Sequence, residues 1–318
     1  MLLAHLGAPW PAQAAAAALT GLLMPQVGPL ARVRWRPITR HTGPDQRRLV
    51  DAAFSYEGAA DEASFVLGPA LVGAAAALVA PAAALVLAAA VLAVFGSWFA
   101  LHPTAHLTRR EPDTAAAAGR LMTACLVILC VAQLFIGMVF GSAQTATSVL
   151  ATNAGVPGLT GGLHALLGVG SVIAGLTVAV LPERFAYEQR MRVFAAALLV
   201  LSLPLLQVGT LPALAVALGV LGFAVAPYMI SVFTLAERIT PPQRTGAAMT
   251  VLAGATGLGY AVGSSVAGRL ADWGGHTPAF AVTVTAGLLA TVLASAAAPR
   301  LRAEQSAVRL RAEQVAPA

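Results

Sequence analysis

The longest uninterrupted feature of the chain is a stretch of 62 residues, from Leu121 to Pro182, that contains no aspartate, glutamate, lysine or arginine. A helix that crosses a bilayer needs about 20 apolar residues. The stretch therefore predicts two spanning helices, with a turn at Asn153–Gly158. Only 10% of the chain is charged and its mean hydropathy is +0.79, whereas soluble domains carry about 25% charged residues. The sequence predicts an all-α membrane protein and excludes an ordinary water-soluble enzyme.

The same count along the rest of the chain predicts nine spans. The 39 uncharged residues from Ala63 to Leu101 are long enough for two helices, and Pro81 near their midpoint marks the turn between them. The nine spans lie within residues 11–31, 63–101 (two), 121–182 (two), 193–236 (two), 245–268 and 273–299.

The basic residues define an orientation. All 19 are arginines, and 18 of them fall in alternate connections between the predicted spans. Because cytoplasmic loops are enriched in basic residues, these five segments and the C-terminus are expected in the cytoplasm. The basic surplus thus reports topology, and we expect no nucleic-acid partner. The 18 arginines are Arg32, Arg34, Arg36, Arg40, Arg47, Arg48, Arg109, Arg110, Arg120, Arg184, Arg190, Arg192, Arg238, Arg244, Arg300, Arg302, Arg309 and Arg311.

Two distant segments resemble each other. Pro11–Ala14 and Pro212–Ala215 are each followed by a glycine seven residues later, then by a proline and an arginine-bearing connection. The first three predicted helices therefore repeat as the last three in the same orientation. This indicates a repeat unit of six helices, as in many transporters.

Two motifs carry a family resemblance. In Ser55–Pro69, Glu57 is followed four and five residues later by an Asp-Glu pair, then by Phe65 and a Gly-Pro pair. In Leu235–Gly263, a Glu-Arg pair and Pro-Pro-Gln-Arg precede a glycine-bearing helix. Both resemble actinobacterial members of the major facilitator superfamily, whose twelve helices form two six-helix halves. The resemblance implies that this chain supplies family helices four to twelve and lacks the first three.

That register divides the chain into four parts. Residues 1–101 are the remainder of the N-terminal bundle, residues 102–120 are a cytoplasmic linker, residues 121–299 are the C-terminal six-helix bundle, and residues 300–318 are a cytoplasmic tail.

The resemblance implies a secondary active transporter that works by alternating access and exports a small, weakly polar or hydrophobic solute. We expect a monomer in the bacterial cell membrane, with the lipid bilayer, the solute and a coupling proton as partners, and with no cofactor or metal. A non-transporting truncated fragment, or a misplaced gene start, is the alternative. The sequence has no P-loop, His-Glu-x-x-His motif or cysteine cluster, so we expect no enzymatic activity.

A polar stripe marks the candidate substrate cavity. Its residues recur at three- and four-residue spacing on one predicted helix, and Tyr228, beside a proline inside a later span, joins them. The stripe has an equally weighted alternative, which is hydrogen bonding and close packing between helices. It consists of Gln133, Gly137, Gly141, Gln144 and Ser148.

The few charged residues near predicted spans are candidates for coupling or gating, because charges at membrane depth are costly. Asp61 and Glu62 precede a predicted span, where they would cap its N-terminus. Alternatively, Glu57 and Asp61 share a helix face that contacts the arginine-rich segments. Arg269 and Asp272 are spaced for an outer gate pair. The predicted packing motif consists of Gly68, Pro69, Gly259 and Gly263.

Overall fold

The computed structural model describes residues 7–25, 27–79, 81–108, 121–178, 181–182, 185–241 and 244–315. Within these ranges the chain is helical and contains no β-strand, which confirms the all-α prediction.

The described residues between 7 and 108 contain five α-helices. A π-helical turn, Leu92–Gly96, separates the last two of them, and 3₁₀ turns follow the second and the fifth. The five helices are α1 (Trp10–Leu23), α2 (Val27–Thr39), α3 (Gln46–Leu78), α4 (Pro81–Val91) and α5 (Ser97–Leu101).

The second part of the chain contains the six described helices that are long and apolar enough to cross a membrane. Two of these spans also include an adjoining 3₁₀ turn. The predicted count of nine is not confirmed, because the earlier helices do not meet the same criterion. The six helices are α6 (Ala124–Asn153), α7 (Thr160–Val178), α8 (Tyr187–Ser202), α9 (Leu211–Ile239), α10 (Thr245–Gly274) and α11 (His276–Val315).

The N-terminal region differs from its prediction at two points. The span expected within 11–31 is interrupted, because α1 ends at Leu23 and α2 begins at Val27. Proline lacks a backbone N–H and restricts the residue before it, and Pro25 lies in this break. The first arginines thus lie on helix α2 instead of a loop. The turn predicted at Pro81 is confirmed, since α3 ends at Leu78 and α4 begins at Pro81.

Helix α3 also begins far earlier than expected. It starts at Gln46 and continues for 33 residues, or about 50 Å at 1.5 Å per residue. The uncharged stretch from Ala63 predicted only its second half, because hydropathy identifies apolar residues and does not show where a polar helix joins them. Asp61 and Glu62 therefore lie in the middle of α3, and the prediction that they cap a helix N-terminus is wrong.

Two close helix crossings hold the second part together. A Cβ atom at Gly137 or Gly141 of α6 would overlap a backbone carbonyl oxygen of α10, and one at Gly259 or Gly263 of α10 would overlap a carbonyl oxygen of α6. The crossing of α7 and α9 is built in the same way at Gly170 and Gly222. Small residues permit this approach in membrane helices, where packing contributes most of the attraction between helices.

Helix α3 joins the two parts of the chain. It packs on α7 and α9, where Gly175 faces Ala59 and a Cβ atom at Gly58 would overlap Ile230. This crossing brings the arginine-bearing helix α2, which packs on α3, close to the final turns of α9.

Candidate functional site

A cluster of opposite charges lies where α2 and α3 meet the end of α9. Glu237 accepts a hydrogen bond from Arg36 Nε, and Arg238 Nη2 donates to Asp51 Oδ2 at 2.6 Å. Two adjacent residues of α9 thus each take an oppositely charged partner from the N-terminal helices. We call Arg32, Arg36, Asp51, Asp61, Glu237 and Arg238 the charged cluster.

The members of the cluster differ in burial. The Glu237 side chain is 5% exposed, whereas that of its partner Arg36 is 43% exposed. Burial raises the pKa of Asp51, and the Arg238 guanidinium beside it partly opposes this shift. Arg238 also lies 4.4 Å from the Tyr187 ring centroid, within cation–π range. A buried carboxylate is costly without its partner, so Glu237 requires Arg36 to remain close.

Helix α2 makes the remaining contacts of the cluster. Arg32 forms an ion pair with Asp61 and lies 4.3 Å from the Phe233 ring centroid. One turn earlier on α3, Glu57 Oε1 accepts a hydrogen bond from Trp35 Nε1 at 2.9 Å. Glu57 and Asp61 thus share a face that contacts the arginine-bearing segment, as the second sequence hypothesis states. The Glu62 side chain lies outside the described residues.

A second set of polar contacts ties α8 to α11. Glu188 is buried and accepts hydrogen bonds from Arg302 Nε at 2.9 Å and from Gln305 Nε2 at 3.2 Å. Arg190, also buried, donates to the carbonyl oxygens of Leu181, Pro182 and Phe185. The Glu188 bonds connect α8 to α11, whereas the Arg190 bonds hold the described part of the connection between α7 and α8.

The predicted polar stripe lies largely against α10. Gly137 and Gly141 contact its backbone, and Gln144 Oε1 accepts a hydrogen bond from the Tyr260 hydroxyl. These contacts correspond to the packing alternative. Ser148 is half-buried.

Two of the candidate cavity residues, Gln133 and Tyr228, are buried inside the protein. Gln133 is fully buried, and within the described residues neither of its amide atoms has a hydrogen-bond partner. Tyr228 is also fully buried, but its hydroxyl donates to the Ala132 carbonyl oxygen at 3.1 Å. Tyr228 thus fixes the contact between α6 and α9, while Gln133 has unused hydrogen-bonding capacity.

Comparison with known families adds an independent finding. The family model described as Major Facilitator Superfamily matches residues 129–318, which is more than half of the chain. The chain belongs to the major facilitator superfamily. The comparison with curated proteins gives no match. The family match and the six apolar helices together show that this chain is an integral membrane protein of a transporter family.

The remaining predicted site residues of this superfamily member are dispersed. Arg269 and Asp272 are both exposed, and the ion pairs of the described chain include neither, so the predicted outer pair is not formed. A Cβ atom at Gly68 would have open space around it, whereas Gly259 and Gly263 are tightly packed. The Pro69 side chain lies outside the described residues.

Sequence reasoning missed five members of the charged cluster as site residues: Arg32, Arg36, Asp51, Glu237 and Arg238. The adjacent opposite charges at the end of a span were a usable signal. Their partners were not predictable, because Asp51 lies on the polar half of α3, which the hydropathy count did not detect as helix.

Proposed function

We propose that the protein is a secondary active transporter that works by alternating access, and that the charged cluster closes its cytoplasmic side. The single observation that carries this proposal is the pairing of Glu237 and Arg238 with Arg36 and Asp51. In the proposed orientation these residues and the C-terminus face the cytoplasm of a bacterial cell, and the protein acts as a monomer.

The strength of these pairs suits a contact that forms and breaks in each transport cycle. Alternating access requires one bundle to rock against another around a fixed site. Partly exposed ion pairs such as Asp51–Arg238 contribute about 0–1 kcal/mol. Glu237 is buried while the bundles are in contact, and their separation would expose it, so that water replaces Arg36 as its partner. Both pairs join the end of α9 to the N-terminal helices, which is where such a separation would occur.

The glycine crossings support a rigid second bundle. Backbone contact along α6–α10 and α7–α9 leaves no space for sliding between these helices. We therefore propose that α6–α11 move as one body, while the crossing of α3 with α7 and α9 accommodates the motion.

Gln133 is the strongest candidate for binding the transported solute. Buried polar groups almost always find hydrogen-bond partners, and an exception in a native protein needs an explanation. An amide in an apolar setting would bind a small, weakly polar solute, or water, in the conformation that opens this region. The family resemblance favours export coupled to protons, and the match and the six spans support a transporter over a non-transporting fragment.

The experiment is a flux assay in everted membrane vesicles, with a panel of lipophilic fluorescent dyes as probes. We expect wild-type vesicles to accumulate at least one dye on energisation, a protonophore to release it, and Gln133→Leu to change the dye preference. Asp272→Asn is the matched control, because this exposed residue has no ion-pair partner in the described chain. Failure of the correctly inserted wild-type protein to move any probe along a gradient would reject the proposal.

A further inference from the structure

An aromatic pocket of about 420 Å³ lies between α2, α3 and the segment that follows the π-helical turn. Four aromatic side chains line it: Trp35, Phe95, Trp98 and Phe99. The chain has only four tryptophans, so half of them face this one pocket. Tryptophan is enriched where membrane meets water, because its ring is amphipathic.

The pocket also contains the buried guanidinium of Arg34. Arg34 Nη1 donates to the Phe99 carbonyl oxygen at 3.0 Å and to Thr104 Oγ1 at 3.1 Å, and the guanidinium lies 3.7 Å from the Phe99 ring centroid. In the described chain, Arg34 forms no ion pair, unlike Arg32 and Arg36 on the same helix. Burial lowers the pKa of Arg34, as expected for a charge that lacks a counter-ion.

The same pocket contains the Glu57 carboxylate. Glu57 accepts the hydrogen bond from Trp35, but no ion pair of the described chain includes it. Asp51, Asp61, Glu188 and Glu237 each pair with an arginine. Burial raises the pKa of Glu57.

An apolar surface leads to this pocket. The helical stretch from Leu85 to Leu101, which includes the end of α4, the π-helical turn and α5, is apolar. Many of its large side chains, among them Val86 and Val94, are exposed. The π-helical turn Leu92–Gly96 interrupts this helix next to the pocket, and such turns often occur at functional sites. Phe95 in that turn lies 6.2 Å from Trp98, measured between ring centroids. A molecule with a polar end in the pocket would thus have its apolar part along this helix.

We propose that the pocket binds a phosphate–ammonium zwitterion, supplied by the headgroup of a phospholipid such as phosphatidylethanolamine. The phosphate would accept hydrogen bonds from the Arg34 guanidinium, which suits phosphate geometry. The ammonium would face Glu57 and the tryptophan rings, through charge attraction and cation–π contact. A purely anionic headgroup would offer no ammonium group to Glu57, and a purely cationic ligand would offer no anion to Arg34. This site is independent of the transported solute.

The test is lipid binding to the full chain, measured by native mass spectrometry in detergent. Wild-type protein should bind phosphatidylethanolamine about ten-fold more tightly than phosphatidylglycerol, which has the phosphate but not the amine. Glu57→Gln should remove this preference, and the control Asp272→Asn should keep it. Equal binding of the two lipids by wild type, or an unchanged preference in Glu57→Gln, overturns the proposal.

Two further arms address folding and the source of the headgroup. Arg34 also holds the end of α5, so Arg34→Lys, which keeps the charge but not the planar guanidinium, should weaken the binding of both lipids and leave their ratio unchanged. Trp98→Leu should weaken phosphatidylethanolamine binding at unchanged thermal stability. Soluble glycerophosphoethanolamine should not displace the lipid at equal concentration, because it lacks the acyl chains. If it displaces the lipid fully, the ligand is a soluble zwitterion and the lipid assignment is wrong.

Discussion

Glu237 and Arg238 are neighbours with opposite charges, yet each pairs with a different helix. Successive residues of a helix project about 100° apart, because there are 3.6 residues per turn. One residue therefore contacts α2 and the next contacts α3. At the scale of single residues, the different directions of these two side chains connect the end of α9 to both α2 and α3.

Charge reversal tests the pair Asp51–Arg238. Asp51→Arg and Arg238→Asp should each lower the melting temperature of the detergent-purified protein, because each places like charges together. The double variant should recover stability, with a coupling energy of about 1 kcal/mol. Arg269→Asp, at an exposed residue without an ion pair in the described chain, should have little effect. Additive losses in the double variant would show that the two residues do not interact.

The two glutamines of α6 provide a matched comparison. Gln144→Leu should destabilise the protein by about 1 kcal/mol, because it leaves the Tyr260 hydroxyl without its acceptor. Gln133→Leu should be neutral or stabilising, because it removes a buried amide without a partner in the described chain. The melting temperatures of the two variants, compared with that of the wild type, distinguish these outcomes. An equal loss for both would mean that Gln133 already has a structural partner.

At the scale of elements, two glycines of α10 differ in their surroundings, so they test whether a glycine is needed for close helix packing. Gly259 and Gly257 lie two residues apart, but a Cβ atom meets the Leu134 backbone only at Gly259. Gly259→Ala should therefore destabilise the protein by about 1–3 kcal/mol through overpacking. Gly257→Ala should be neutral or stabilise by about 0.5–1 kcal/mol, because alanine favours the helix. Similar melting temperatures for both variants would argue against the close crossing of α6 and α10.

The helices differ in how well the sequence predicts them. The apolar stretches of the second part predicted its spans well, because there the hydrophobic residues coincide with the helices. Helix α3 shows the limit, since its polar first half carries Asp51 and Glu57 and continues directly into an apolar half. Hydropathy detects the second half only, so the partners of Glu237 and Arg238 needed the tertiary structure.

At the scale of the whole molecule, the contacts between the two parts differ in kind from those within the second part. Within it, glycines allow backbone contact and a continuous apolar core surrounds α6 and α9. Between the parts, Val50 and Phe54 of α3 join this core, and the charged cluster lies beside them. Packed backbones deform little, whereas ion pairs at a parting surface can exchange partners with water once they are exposed, so we expect motion at the charged cluster.

The most direct test of the gate uses pulsed electron paramagnetic resonance to measure the distance distribution between two spin labels. The labels replace Arg48 on α3 and Arg192 on α8, which are both exposed. Cys125 and Cys130 are first replaced by alanine. The wild type should favour a short distance, and adding Asp51→Asn with Glu237→Gln should shift the population to longer distances, because the cluster no longer holds α9 to α2 and α3. Coincident distributions would contradict the proposal that the charged cluster is a gate.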